Sequence, residues 1–420
     1  MMIPEIKKLN GIPTLMVDGE PFFALAGEIH NSSSSNLKFM EENVWPYFDG
    51  LHMNTVVVPI YWELIEPVED EYHFEFIEGL IDQARSHGMR LVFLWFGLWK
   101  NSESMYVPGW MKRDTETYFR ARKVNGEPIN TISPLCSAAV KKDKKAFTEV
   151  MSFIKSKDEQ ENTVIVMQIE NEIGLLGTER DYSDAANDAF SNDVPEEVAE
   201  HFGVTGDWKT AFGIDAEEQF MAYYFAKAVG EITDAGRAVY PLPCYTNAWL
   251  KQYPWYAGSY PSGGPVYEVH QMWKLMAPSL FTLGPDIYVS NVVEVMEQYA
   301  YEGNPLFIPE VRKDISTASY ALYAFGGLNA LCYSPFGIEE LSMPADAIDK
   351  PPMEVMIALN IDPSAFEVEG SKPCLAKVYD FIDQVKPIYL KYRGTDALQC
   401  YVRKNDLDFG TFLRLSLIHI

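Results

Sequence analysis

Residues 163–172 read "TVIVMQIENE". An apolar run ends abruptly in two carboxylates flanking an amide, Glu170, Asn171 and Glu172. Apolar side chains in continuous rather than alternating order predict a strand buried on both faces, as in a parallel sheet covered by helices. Charge is costly to remove from water, so the acids at its end either stay solvated at a rim or are employed there.

Seven further runs share this texture: "FFALAGEIH" (22–30), "NTVVVPIYW" (54–62), "RLVFLWFGLW" (90–99), "PCYTNAW" (243–249), "DIYVSN" (286–291), "LFIPEV" (306–311) and "ALCYSPFG" (330–337). Helical spacing of apolar residues fills several gaps between them. "FEFIEGLIDQARSHG" (74–88) stops at Gly88, and 144–157 and 216–236 read the same way. Eight such strand-then-helix units predict the α/β class and a (β/α)8 TIM barrel, a fold that takes roughly 250 residues and tolerates insertions. The main insertion, 175–215, is acidic and follows the fourth strand. It reads either as a surface excursion or as a wall of the binding cleft, since βα loops lie on the active face.

The expected domains are an N-terminal hairpin (1–20), a catalytic barrel (21–391) and the start of a β-rich C-terminal domain (392–420). The hairpin rests on the turn signals Asn10-Gly11 and Asp18-Gly19. The last region stops soon after it begins, and its ending "RLSLIHI" resembles translated sequencing-adapter read-through; the expectation is a truncated domain.

Hydrophobic residues make up 47% of the 420, enough for a large core. With 34 Lys plus Arg against 60 Asp plus Glu, the formal charge is −26, which argues against nucleic acid or an anionic membrane as partner. Five cysteines without CxxC spacing suggest reduced thiols rather than a disulfide framework or zinc site. No signal-peptide layout and no stretch of 18 apolar residues is read, so a cytoplasmic location is expected.

In such a barrel, chemistry gathers at the C-terminal ends of the strands. There stand Glu28 and His30; Trp62 and Glu63; Trp99, Lys100 and Asn101; Glu170, Asn171 and Glu172; Asn247; Tyr288; Glu310 and Arg312; and Tyr333. Carboxylates, amides and flat rings suit a sugar, whose C–H faces stack and whose hydroxyls need partners. Phosphate loops and GxSxG are absent. Glycoside hydrolysis needs two carboxyl groups across the scissile bond. Glu172 and Glu310 end strands on different sides of the barrel, and Arg312 is the nearest sequence candidate to help Glu310. Alternation alone does not choose between Glu170 and Glu172. Plainer readings stand beside these: strand-end glutamates are often solvated, His30 suits a structural histidine, and Trp62 and Trp99 suit the core. A metal held by Glu28 and His30 has no supporting spacing, and neither metal nor cofactor is expected.

"QIENEIG" (168–174) resembles the strand-four signature of clan-A retaining glycosidases, particularly β-galactosidases of glycoside hydrolase family 35. "GEIH" (27–30) is similar to that family's first-strand motif, and "YWELIEPVEDEYHF" (61–74) and "VPGWM" (107–111) resemble segments shared by families 35 and 42. "LFIPEVR" (306–312) fits the strand-seven position, and the likeness runs from residue 20 to about 340. The resemblance implies Glu172 as acid/base, Glu310 as nucleophile and Asn171 on the sugar's 2-hydroxyl. His30, Glu63, Asn101 and Asn247 become candidates for other hydroxyls, Trp62 and Trp99 for a stacking platform, Tyr288 for a hydrogen bond to Glu310, and Tyr333 for a further substrate contact. The implied activity is a retaining exo-β-glycosidase, most simply a β-galactosidase. Its partner is an oligosaccharide or β-glycoside substrate, with a homo-oligomer left open. Departures touch substrate contacts: Glu63 replaces the family's asparagine, Pro59 its tyrosine, and "WFGLWKNSESMY" (95–106) its cysteine-containing galactose loop. Another β-sugar, such as an arabinopyranoside or glucoside, and a non-catalytic sugar-binding barrel are the alternatives.

Overall fold

The computed structural model describes residues 2–344, 347–348, 352–359 and 361–403. Three short strands open the chain: β1 (Glu5–Leu9), β2 (Ile12–Val17) and β3 (Glu20–Phe22), paired antiparallel. Both connections turn through consecutive left-handed residues, Asn10-Gly11 and Asp18-Gly19, the geometry that lets a two-residue loop match strand twist. Where a hairpin was expected, this region has a third strand.

The barrel follows. Its strands are β4 (Ala24–Glu28), β5 (Thr55–Tyr61), β6 (Arg90–Lys100) and, after a side hairpin of β7 (Arg120–Arg122) and β8 (Pro128–Ile132), β9 (Val164–Asn171), β10 (Cys244–Trp249), β11 (Leu280–Ile287), β12 (Phe307–Val311) and β13 (Cys332–Pro335). The sheet closes in the order β4-β5-β6-β9-β10-β11-β12-β13, with neighbouring strands parallel, and helices surround it: a (β/α)8 TIM barrel.

Alternation along each strand builds two apolar layers. Val57, Val92, Leu94, Phe96 and Ala26 point inward and pack with Leu15 and Val17 of β2, which plug the N-terminal end. Val56, Val58, Leu91, Phe93 and Trp95 point outward to the helices. The helix Glu75–Ser86 meets them with Ile77, Leu80, Ile81 and Ala84, one face of a 3.6-residue repeat. The helix Ser371–Tyr392 seals the seam between the last and first strands, where the Tyr379 hydroxyl donates to the carbonyls of Tyr333 and Ala26.

One expectation needs correction. The sixth barrel strand runs Leu280–Ile287, not 286–291. Gly284-Pro285 looks like a turn but lies inside the strand, where a Cβ on Gly284 would sit 2.9 Å from the Phe307 carbonyl oxygen of the neighbouring strand. The insertion at 175–215 folds into helices Asp184–Ser191, Glu196–Phe202 and Trp208–Phe212, and Trp208 packs on Phe220 and Tyr223 of the helix Ala216–Val239. Its first residues stay at the rim, where Leu175 exchanges backbone hydrogen bonds with Ser262 of the loop after β10. The β-rich region expected from residue 392 lies mostly outside the described residues, and the described part, 393–403, carries no strand.

Candidate active site

The end of β9 decides the site. Glu170 and Glu172 both have positive φ, 59° and 45°, in the left-handed region that a side chain bearing a Cβ seldom adopts. Such residues cost about 1–3 kcal/mol each and persist only where their surroundings hold them. The two reversals break the strand's alternation and send the carboxylates to different layers. Glu170 turns to the helices: it accepts from the backbone N–H groups of Leu98 (3.1 Å) and Trp99 (2.7 Å) and faces Asp143. Burial first, then the Asp143 charge, pushes the Glu170 carboxyl well above its ordinary range, and burial raises Asp143 as well. Gly97 makes room for them, since a Cβ there would come within 2.6 Å of both carboxyl groups. Gly97→Ala is accordingly expected to destabilise the fold by about 1–3 kcal/mol through overpacking. A thermal melt in which the variant matches the wild type would refute this account of the strand end.

Glu172 turns the other way, to the mouth of the barrel, and is buried there. Its backbone N–H donates to Asn247 Oδ1 at 2.9 Å. Across the mouth stands Glu310, whose oxygens meet three donors: Asn171 Nδ2 (3.0 Å) and Asn247 Nδ2 (3.3 Å) on Oε1, and the Tyr288 hydroxyl (2.8 Å) on Oε2. The register of β12 against β13 slips between Ile308 and Val311, where one extra residue bulges. A one-residue slip exchanges the faces of a strand, and here it brings Glu310 to the site.

One carboxylate oxygen from each of Glu172, Glu310 and Asp286 lies within 4.8 Å of the others. Asp286 stands beside Glu310 in the β11–β12 register and accepts from Asn247 Nδ2 at 2.7 Å. Lys100 is buried here too, donating to Asn171 Oδ1 at 2.8 Å and to Asn101. Burial, reinforced by the Glu310 charge and opposed by Lys100, lifts the Glu172 carboxyl to about 8. Burial likewise lifts Asp286, with Glu310 the largest charge contribution. Among the described residues, this acidic trio is the set with the geometry to hold a cation; the donors on Glu310 and Asp286 already occupy several of its oxygens. Chemically, the arrangement sets a protonatable acid opposite a carboxyl group that accepts three hydrogen bonds, across a narrow gap.

Asn171, Asn247 and Tyr288 therefore converge with Glu172 and Glu310, and Asn101 sits beside Lys100. His30 lies at the rim, with Nε2 2.6 Å from Glu340 Oε1, while Lys313 donates to the other oxygen of Glu340. Glu63 is at the rim as well, its carboxylate 2.7 Å from Lys112 Nζ and not bonded to the acidic cluster. Three expectations fail. Trp62 is fully buried in the outer layer, packed on Trp95 and Trp110, and donates to Glu66. Trp99 is equally buried, its edge against Phe225 and its N–H on the Ile132 carbonyl. Tyr333 points outward to the Thr317 hydroxyl, 2.8 Å away. None of these three rings is open to a sugar. Arg312 also turns away from Glu310, to Asp314, Asp362 and Ser364, and so fixes the loops.

Sequence reasoning missed Asp286, which lay at the edge of a misplaced strand, and Phe336. The Phe336 ring, only partly buried, lies 5.2 Å from His30 and 6.4 Å from Tyr288. Its signal was its place just after the eighth strand.

A family model described as glycosyl hydrolases family 35 matches residues 14–233. No curated protein matches the sequence. Solved structures that resemble the chain include the catalytic domain of β-amylase from Paenibacillus polymyxa, with 10% identity, a TM-score of 0.57, and coverage of 83% of this chain and 98% of that one. Another is a β-galactosidase from Halorubrum lacusprofundi, with 14% identity, a TM-score of 0.57, and coverage of 84% and 57%. A third is a β-galactosidase from Bacillus circulans sp. alkalophilus, with 13% identity, a TM-score of 0.57, and coverage of 86% and 56%. At these identities the likeness concerns the fold, and the chain spans little more than half the length of these β-galactosidases.

Proposed function

The chain belongs to glycosyl hydrolases family 35, whose model covers more than half of it, and from that premise we propose that this glycoside hydrolase is a retaining exo-β-glycosidase acting on terminal β-D-galactosides. Glu310 attacks the anomeric carbon as a carboxylate while Glu172 protonates the leaving oxygen. Water, deprotonated by Glu172, then releases the sugar. Asn171, held by Lys100 and Glu310, meets the 2-hydroxyl.

The observation that carries the reading is the approach of the two acids. An oxygen of Glu172 and one of Glu310 lie within 4.8 Å of each other, which supports a retaining pair, whose carboxyl groups stand about 5–5.5 Å apart, over an inverting pair at about 6.5–9.5 Å. The raised Glu172 supports its part as the acid. No metal or cofactor enters these steps.

A second reading, the same chemistry on another β-sugar, is favoured by one observation: Lys100 and Asn101 stand where the family's galactose loop departs, and Glu63 is paired with Lys112. The test is NMR of the first product from nitrophenyl β-galactoside. Release of the β-anomer before mutarotation is expected. Release of the α-anomer would overturn retention, and hydrolysis of other β-glycosides but not the galactoside would transfer the assignment to the second reading.

A further inference from the structure

Glu28 has no part in the steps above, yet it lies among the groups that perform them. Alternation along β4 puts it on the inward face with Ala24 and Ala26, at the C-terminal end of the strand. It is fully buried, and neither of its carboxyl oxygens has a hydrogen-bond partner. Its electrostatic neighbours are Glu310, Lys100, Glu172 and Glu339. The amides around the mouth are already engaged: Asn171 between Lys100 and Glu310, and Asn247 between Glu172, Asp286 and Glu310. Glu28 stands there with its full hydrogen-bonding capacity unused.

We propose that Glu28 is the residue that selects the glycone, its carboxyl at the inward C-terminal end of β4 hydrogen-bonding hydroxyls of the sugar whose anomeric carbon lies between Glu172 and Glu310. The assignment rests on the proposed glycosidase reading and adds to it the contact that discriminates between sugars. An unpaired buried carboxyl weakens a fold, so its presence calls for a partner that arrives later. Burial and the charges of Glu310, Glu172 and Glu339, opposed by Lys100, favour the neutral acid. A neutral carboxyl both donates and accepts, which fits a hydroxyl in one fixed position. A site built to bond a hydroxyl rejects analogues lacking it, because its own group is then left unpaired.

The test compares wild type, Glu28→Gln and Glu28→Leu on nitrophenyl β-galactoside, β-fucoside, α-arabinopyranoside and β-glucoside, with melting temperatures for each protein. Glu28→Leu is expected to lose at least about 100-fold in kcat/KM on the preferred sugar and far less on the analogue missing the hydroxyl that Glu28 reads. Glu28→Gln, which keeps one donor and one acceptor, retains most of the preference. Both variants should melt no lower than wild type, since an unpaired acid has been removed. A uniform loss across the panel with a lowered melting temperature marks a structural residue and overturns the assignment. Calorimetric titration of free galactose, arabinose and glucose reads binding without turnover, so a failure of catalysis is told apart from a failure of the Glu28 contact. Selective binding by wild type that Glu28→Leu lacks supports the assignment; equal heats in the two proteins, including none in either, overturn it.

Discussion

Glu310→Ala is expected to lower kcat by on the order of ten-thousand-fold or more, because removal of a nucleophile abolishes the two-step route outright. The loss should appear in kcat, since the side chain acts on the anomeric carbon. The deletion leaves a small space lined by three donors, Asn171 Nδ2, Asn247 Nδ2 and the Tyr288 hydroxyl. Those donors suit a small anion. Azide should therefore enter and attack an activated aryl glycoside directly, partly restoring turnover and giving a glycosyl azide of inverted configuration. NMR of that product is the deciding measurement. Full activity without azide would show that Glu310 is not the nucleophile.

Glu172→Gln should act differently on different substrates. A leaving group that needs a proton loses roughly 100- to 10,000-fold in kcat/KM, the usual worth of general acid catalysis. A dinitrophenyl glycoside, whose leaving group departs unaided, loses much less in that first step. Its second step slows for want of a base, so the glycosyl-enzyme accumulates and a burst appears. The pH profile gives an independent check. Burial and the Glu310 charge lift the Glu172 carboxyl to about 8, so the acid form persists through neutrality. As pH rises past that value the proton is lost, and wild-type kcat/KM falls on the alkaline side. That limb should be absent from Glu172→Gln. Its survival in the variant would assign the titration to another group.

The barrel was legible because its strands are buried on both faces and therefore read as unbroken apolar runs. What alternation conveyed ended where the strands ended. Glu170 and Glu172 look equivalent in sequence; two left-handed backbone positions separate them, and neither residue type announces such a conformation. Glu310 reaches the site through a bulge, which a simple count of residues along β12 would have missed. Trp62, Trp99 and Tyr333 stand at strand ends as a sugar platform would, but composition does not tell a ring facing the helices from one facing the axis. Gly284-Pro285 concealed Asp286 by imitating a turn inside a strand. The family resemblance supplied what periodicity could not, the preference for Glu172 over Glu170.

The N-terminal strands lie at the far end of the barrel from this chemistry. Leu15 and Val17 plug that end, Asp18 pairs with Arg90 where β6 begins, and Asn162 just before β9 holds the Met2 carbonyl. An affinity handle placed before residue 2 would thus anchor the molecule by its base. Tethered to a bead that way, every copy would present its opening to the flowing liquid, and immobilisation should leave access to small glycosides unimpaired.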